Sequence, residues 1–408
     1  YLPEWAPAHL DRIKRMFEQN KNHTAIIIWS MGNECGNGPV FYDAYKWLKE
    51  QDKTRFVMFE QADENIDTDI VAPMYPRIKQ MNEYAENPEK TRPYIMCEFS
   101  HAMGNSNGNF QEYFDVISTN KKMQGGFIWD WVDQGLKTKT EDGRVFWAYG
   151  GDLGGENLQH DENFCANGLV TADRVAHPAL KEVKKVYQDI SFALNDKNII
   201  SISNHFNFSN LEEYNFKWIL KANGEKLQEQ DFQVSVKPNN TKEINLDLPF
   251  INNDMEYYLE IYAFTKHSTK TIPANHEVAR EQFKIGSNSY FDSKVENKGK
   301  LVLKTYRNIL HFASNKTLGS FDLIQGELIM YKLLSNEYNK TITSFPEPYF
   351  WRAPTDNDYG NKMPERLGFW KHATKNRVVK SQKYEEAARL RDKEKSLLEN
   401  LDSAKSAW

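Results

Sequence analysis

The sequence predicts an α/β region followed by β-rich regions, and three observations carry that prediction. Over roughly the first 190 residues, short apolar runs alternate with segments of helical spacing, the pattern of parallel βα units. Two of the runs, Ile26–Trp29 leading to Glu34 and Pro93–Cys97 leading to Glu98, end abruptly in a glutamate among polar neighbours. A buried parallel strand reads as such a run, and a glutamate at its carboxyl end sits where α/β barrels keep their chemistry. From about Ile190 the helical spacing disappears, and alternating runs recur with turn signals between them.

Taken in order, Leu10, Ile13, Met16 and Phe17 predict a helix over residues 4–20. Asn22-His23-Thr24 breaks it, and a strand runs through Ile28. A helix around Phe41, Tyr45 and Leu48 follows, then strands at Arg55–Glu60 and Asp69–Tyr75, and a helix near Ile78, Met81 and Tyr84. The strand holding Ile95 precedes a helix through Phe110, Tyr113, Phe114 and Ile117. Gly125–Trp131 makes a fifth strand. The aromatic, Gly-rich stretch from Val132 to Arg174 has little periodicity and reads as a long functional loop, and a helix from Pro178 to near Gln188 closes the region.

Beyond it, Ile200–Phe206, Ile244–Leu248 and Tyr257–Phe264 alternate, and Asn223-Gly224 is a hairpin signal. These predict a β-sandwich of about 95 residues. A third, mainly β segment starts near Ser287 with strands at Leu301–Thr305 and Asn308–Phe312, and the tail from Tyr384 has the pattern of a charged helix. The expected division is therefore residues 1–189, 190–285 and 286–408.

Composition narrows the partners. Across 408 residues the net charge is −5, so no basic field exists to hold nucleic acid. No apolar run approaches the roughly 18 residues of a membrane span. The three cysteines, Cys35, Cys97 and Cys165, match neither a disulfide framework nor a zinc spacing, which favours a reducing, cytoplasmic compartment over a periplasmic or secreted one. The sequence opens at Tyr1-Leu2-Pro3 without an initiator methionine or a signal peptide, so an incomplete amino terminus is expected.

Two strand-end glutamates facing one pocket are the minimum apparatus for breaking a glycosidic bond: one carboxyl group protonates the leaving oxygen while the other attacks or stabilises the oxocarbenium-like centre. Glutamate suits both roles because its surroundings can move its pKa. Asn33 and His101 are placed to hydrogen-bond sugar hydroxyls, and Trp129 and Trp131 to stack on a sugar's C–H face. Tyr75 is placed to donate its phenolic proton to the nucleophile, or else to pack at the rim. Cys97 reads as a packing thiol. Gly150–Gly155 is glycine-rich but lacks the strand–helix context of a phosphate cradle.

Several longer strings resemble the β-galactosidases of glycoside hydrolase family 2. They are Ile28–Glu34, Cys97–Ser106, Gly125–Gln134, Phe164–Val170, His177–Leu180 and Arg352–Asp358, and the likeness covers roughly residues 1 to 370. The resemblance implies that Glu34 is the acid/base and Glu98 the nucleophile of a retaining hydrolase acting on β-galactosides. It further implies that Asn33, Tyr75, His101, Trp129 and Asn167 line the galactose site. Glu34 matches a Mg²⁺ ligand, and Phe164 (through its carbonyl) and Asn167 match a Na⁺ site. The implied architecture is a (β/α)₈ TIM barrel, here about strands 4–8, then an immunoglobulin-like sandwich and a truncated large β-domain, in a homo-oligomeric parent protein. By the same likeness three barrel strands are expected to be missing, together with the Glu and His that complete the Mg²⁺ site. Two alternatives stand beside hydrolysis of galactosides: a related glycosidase of the β-glucuronidase or β-mannosidase type, and a non-catalytic carbohydrate-binding or assembly fragment.

Overall fold

The structure, a computed structural model, describes residues 2–155, 157–195, 198–249, 251, 255–286, 299–334, 341–346, 349–376, 393 and 396. It forms two compact units, residues 1–291 and 292–408.

The first unit opens on helix α1 (Ala6–Asn20), whose Ile13 and Phe17 are buried one helical turn apart. Strand β1 (Ile28–Ser30) follows, then α2 (Pro39–Gln51), which buries Val40, Phe41, Ala44 and Leu48 along one face. Strand β2 (Phe56–Met58) lies parallel to β1 with Trp29 opposite Val57. Helix α3 (Ile78–Glu86), strand β3 (Tyr94–Phe99), helix α4 (Phe110–Thr119) and strand β4 (Met123–Ile128) continue the alternation, with β3 and β4 also parallel. The strand expected over 69–75 survives only as isolated parallel bridges, Met58 to Ile70, Val71 to Tyr94 and Met74 to Glu98, which join β2 to β3. Pro73 has no N–H for a ladder, and Tyr75 turns left-handed at φ +44°, so a regular strand cannot run through.

The parallel array is open. Among the described residues, β1 pairs only with β2 and β4 only with β3. Ile27, Phe56 and Phe127 stay exposed on these strands or beside them. The stretch after β4, expected as a long loop, holds a two-stranded hairpin, β5 (Leu136–Lys139) with β6 (Val145–Ala148). Its alternation is too brief and too polar on one strand to register as periodicity. Helix α5 (Ala179–Val186) follows.

Seven antiparallel strands then build two sheets. They are β7 (Ile190–Leu194), β8 (Ile199–Asn204), β9 (Tyr214–Ala222), β10 (Glu225–Phe232), β11 (Thr241–Asn245), β12 (Tyr257–Thr265) and β13 (Glu277–Gly286). The orders are β10-β9-β12-β13 and β11-β8-β7. Alternate residues of β9, including Phe216, Trp218 and Leu220, meet Ile200, Ile202, Leu259 and Ile261 in one core. Asn223 (φ +47°) and Gly224 (φ +88°) turn the β9–β10 hairpin, as a two-residue turn with both φ positive requires.

The second unit is a meander of consecutive antiparallel strands, β14 (Val302–Tyr306), β15 (Ile309–Ala313), β16 (Thr317–Asp322), β17 (Glu327–Leu333) and β18 (Thr341–Ile342). After it, the Thr355 hydroxyl and the Asp358 carboxylate cap the short helix α6 (Asp356–Gly360), and Arg352 grips Asp358 with two guanidinium nitrogens. The start expected near Ser287 falls outside the described residues, and of the charged helix expected from Tyr384 only Lys393 and Ser396 are described, both helical. Among those described, no helix is long and apolar enough to cross a membrane.

Candidate active site

The carboxyl ends of the parallel strands converge on Glu98. Its Oε2 accepts the Tyr75 hydroxyl at 2.9 Å, and its carbonyl oxygen accepts the Tyr75 N–H at 2.8 Å. Tyr75 is thus held by main chain and side chain together, in the donor role its position suggested. Burial raises the Glu98 pKa above its usual value; the Tyr75 hydrogen bond opposes that rise, and the charges of Glu34 and Glu60 add to it. Burial, and then the bond to Glu98, push the Tyr75 phenol well above its ordinary range, so it remains a proton donor.

Glu34 lies past the end of β1 on the turn Gly32-Asn33-Glu34, beside Asn33, and both are solvent-exposed. Its φ is +51°, and its N–H donates to Glu60 Oε2 at 3.2 Å. Ser100, at the end of β3, has φ +49° and is pinned by Asn107, whose Nδ2 donates to the Ser100 carbonyl at 2.5 Å. Left-handed backbone at Glu34, Tyr75 and Ser100 costs roughly 1–2 kcal/mol per residue, and such outliers gather at functional sites.

His101 sits between two rings. It meets Tyr75 edge-on at 5.9 Å and stacks on Phe164 at 5.7 Å. Burial lowers its pKa while the charge of Asp130 works against that shift, so at neutral pH the ring is an uncharged hydrogen-bonding group. Trp129 is joined to the same strand end, its N–H donating to Phe99 O at 3.2 Å and its carbonyl accepting from Ala102 N at 2.8 Å. Trp129 is 37% exposed and Trp131 61%, so Trp129 is the more enclosed of the two residues expected to stack.

Asn167 is buried at 3% exposure. Asp130 N donates to its carbonyl at 2.9 Å, and its own Nδ2 donates to the Phe164 carbonyl at 3.3 Å. Its Oδ1 is buried without a hydrogen-bond partner. A clamp fixes this turn. Gly168 N donates to Asp133 Oδ1 at 2.8 Å, and His177 Nε2 meets Asp133 Oδ2 at 2.8 Å. A Cβ on Gly168 would lie 2.2 Å from Asp133 N, so only glycine fits there.

These groups bear unequally on the two expected metals. The unpartnered Asn167 Oδ1 and the Phe164 carbonyl are oxygen donors of the kind a hard cation such as Na⁺ takes, and here it is the amide nitrogen of Asn167 that faces that carbonyl. Glu34 is the one Mg²⁺ ligand expected from this chain, and among the described residues no group of three or more His, Cys, Asp or Glu side chains completes a metal site around it. Cys97 behaves as a packing thiol, donating to Ala72 O at 3.1 Å with its pKa pushed up to about 12 by burial.

The structure therefore brings Glu98, Tyr75, His101, Trp129, Phe164 and Asn167 together directly, and Glu34 through its electrostatic reach to Glu98 and Tyr75. Sequence reasoning missed Glu60, although the signal was available. The run Arg55–Phe59 also ends in a glutamate, as the other two do. It also missed the Asp133–His177 clamp, for which spacing alone offered no signal.

Comparison with known proteins agrees along the chain. The family described as "Glycosyl hydrolases family 2, TIM barrel domain" matches residues 2–192, "Beta-galactosidase, domain 4" residues 200–286, and "Beta galactosidase small chain" residues 313–405. A β-galactosidase of Priestia megaterium is 38% identical over 93% of this chain and 37% of its own length. "Beta-galactosidase 2" of Enterobacter cloacae is 34% identical over 90% of this chain and 36% of its own. Among solved structures, a Bacteroides uniformis β-glucuronidase aligns at 16% identity and a TM-score of 0.34, covering 70% of this chain and 37% of that one, too loose a fit to support inference. The chain thus spans little more than a third of the length of the curated relatives it matches. With family 2 and β-galactosidase descriptions running from residue 2 to residue 405, and with two glutamates at the ends of parallel strands, the chain belongs to glycosyl hydrolase family 2.

Proposed function

We propose that this chain carries the catalytic carboxylates of a retaining β-galactosidase, within a longer protein that completes the barrel. The observation that carries the reading is Glu98 at the end of β3, accepting the Tyr75 hydroxyl at 2.9 Å while lying in the field of Glu34. In the first step a Glu98 oxygen attacks the anomeric carbon, the bond to the leaving oxygen breaks, and Glu34 transfers its proton to that oxygen. The galactosyl ester has no negative charge on Glu98. In the second step Glu34 takes a proton from water, the water oxygen attacks the anomeric carbon, and Glu98 leaves as a carboxylate. Tyr75 holds Glu98 in its ionised form before attack and bonds the departing carboxylate afterwards.

Asn33 and His101 would bind sugar hydroxyls, Trp129 would stack on the ring, and Asn167 would orient a hydroxyl or a cation beside it. Na⁺, if bound, would sit against Phe164 O and Asn167 Oδ1 and offer a fixed positive charge to a sugar hydroxyl. No step is derived through Mg²⁺, because among the described residues no group of three or more His, Cys, Asp or Glu side chains that could hold a metal is found at Glu34. The strands are read as numbers four to eight of a (β/α)₈ barrel, the sandwich as immunoglobulin-like and the second unit as part of a truncated β-domain. Family likeness alone supports that numbering and a homo-oligomeric parent, and the cysteine usage alone a cytoplasmic one.

The open edges of β1 and β4 favour a second reading, in which this chain alone binds carbohydrate or assembles with other segments without turnover. Treating the purified chain with 2,4-dinitrophenyl 2-deoxy-2-fluoro-β-galactoside and weighing its peptides separates the two. A stable fluorogalactosyl adduct on the peptide containing Glu98 is expected. Sugar binding with no adduct would favour the second reading, and an adduct on another residue would overturn the assignment of Glu98.

A further inference from the structure

We propose that Glu60 is a positioning residue for the acid/base, holding the main chain of Glu34 in the conformation that aims its carboxyl group at the leaving oxygen. The inference rests on the galactosidase reading above and goes beyond it by assigning a third strand-end glutamate.

Glu60 lies two residues past the end of β2, at the start of a 3₁₀ turn (Glu60–Ala62), and is only 7% exposed. Its Oε2 accepts the Glu34 N–H at 3.2 Å, and its Oε1 accepts from Gln61 Nε2, so both carboxylate oxygens are engaged. The residue before it is anchored: Phe59 is fully buried and stacks on Phe41 of α2 at 4.3 Å. The loop from Met31 to Glu34 is tied to the end of β2 at both of its own ends. Met31 N donates to Met58 O at 3.1 Å, and Glu34 N donates to Glu60. Between these ties the loop packs closely, since a Cβ on Gly32 would meet Cys35 Sγ at 2.9 Å and the Phe59 ring at 3.4 Å.

Glu34 itself has φ +51°, a conformation that costs a glutamate about 1–2 kcal/mol. An exposed loop residue left to itself would relax to negative φ and swing its side chain. The hydrogen bond to Glu60 Oε2 at 3.2 Å is the side-chain restraint on the Glu34 N–H, with a carboxylate oxygen as its acceptor. Glu60 need not touch the sugar for this role. It acts through the backbone of Glu34, and its effect belongs to steps that require proton transfer.

That distinction sets the test, made in the full-length protein carrying this chain. Glu60→Gln keeps a side-chain oxygen as acceptor, whereas Glu60→Met fills similar volume without one. Two rates are read in each: kcat for methyl β-galactoside, whose leaving group needs a proton, and formation of the Glu98 adduct from 2,4-dinitrophenyl 2-deoxy-2-fluoro-β-galactoside, whose leaving group does not. Glu60→Met should lose at least about tenfold in the first rate and less than about threefold in the second, and Glu60→Gln should recover most of the loss. Parallel loss of both rates, in either variant, would make Glu60 a general structural residue and overturn the proposal. So would unchanged turnover of the methyl galactoside by Glu60→Met. Should Glu60→Met fail to fold, Glu60→Gln decides alone: proton-dependent turnover within about threefold of the unaltered protein supports the role of acceptor, and a larger selective loss overturns it. Absence of any Glu98 adduct in the unaltered protein would instead overturn the galactosidase reading itself, a separate result.

Discussion

The parallel-strand region and the β-sandwich of the first unit treat backbone strain and buried polarity in opposite ways. In the sandwich, every described non-glycine residue with positive φ is an asparagine: Asn198, Asn223, Asn239 and Asn275. Asparagine tolerates that conformation because its short amide can bond locally. In the parallel region the set is mixed: besides Asn109 it includes Asp63, Glu162 and Arg174, and Glu34, Tyr75 and Ser100 beside the strand ends. Buried polar side-chain atoms without a partner divide the same way. Asn37 Nδ2, both Asp67 oxygens, Asn107 Oδ1 and Asn167 Oδ1 all lie in the parallel region, and none of the described residues of the sandwich contributes one. The sandwich is thus internally consistent at each level, as a stabilising element should be. Three of the strained residues, Glu34, Tyr75 and Ser100, and one of the unpaired atoms, Asn167 Oδ1, lie at the candidate site, where groups that must meet a ligand cannot be fully satisfied without it.

The comparison makes claims that can be broken. The largest effect concerns the sandwich core. Trp218 is 1% exposed among Phe216, Leu259 and Ile261, so Trp218→Ala should cost about 3–5 kcal/mol, read by denaturant unfolding. Turnover of an aryl galactoside by the full-length variant, measured well below its transition, should stay within about twofold. A parallel collapse of kcat would erase the division of labour between the two regions.

Next in size is Tyr75→Phe, which touches only the strand-end cluster. Removing the hydroxyl deletes a hydrogen bond that favours the ionised form of Glu98, so the already raised Glu98 pKa rises further. A nucleophile must be ionised, and the acid limb of the kcat/KM profile should therefore move to higher pH. The lost charge-assisted bond, worth about 1.5–3 kcal/mol, should lower kcat/KM tenfold or more at neutral pH. An acid limb that stays in place or moves to lower pH would show that this hydrogen bond does not govern Glu98.

The smallest effect should be Asn223→Ala in the hairpin. It forces alanine to φ +47° and removes the acceptor for Glu256 N at 3.0 Å, a cost of about 1–2 kcal/mol to stability with no change in KM or kcat. A change in KM would mean that the sandwich turn contributes to the site.

The order of helices and strands in the parallel region was legible because its residues repeat with one period at a time. Leu10, Ile13 and Phe17 can only share a face on a helix, and Val40, Phe41, Ala44 and Leu48 likewise. The strand at 69–75 was less legible, since its run is apolar but Pro73 and the left-handed Tyr75 reduce it to bridges. The hairpin of β5 and β6 was not legible, its strands being four residues each and mixed in polarity.

By itself, then, the sequence determined which residues end the strands, and therefore that Glu34 and Glu98 are the carboxylates to watch. Chain-local periodicity is enough for that. Only the tertiary structure decided how those ends are joined: Tyr75 on Glu98, His101 between Tyr75 and Phe164, the Asp133–His177 clamp behind Asn167, and Glu60 on the backbone of Glu34. Each is a contact between segments distant in sequence, set by strand register and left-handed turns, and neither can be read from the spacing of residues along one segment.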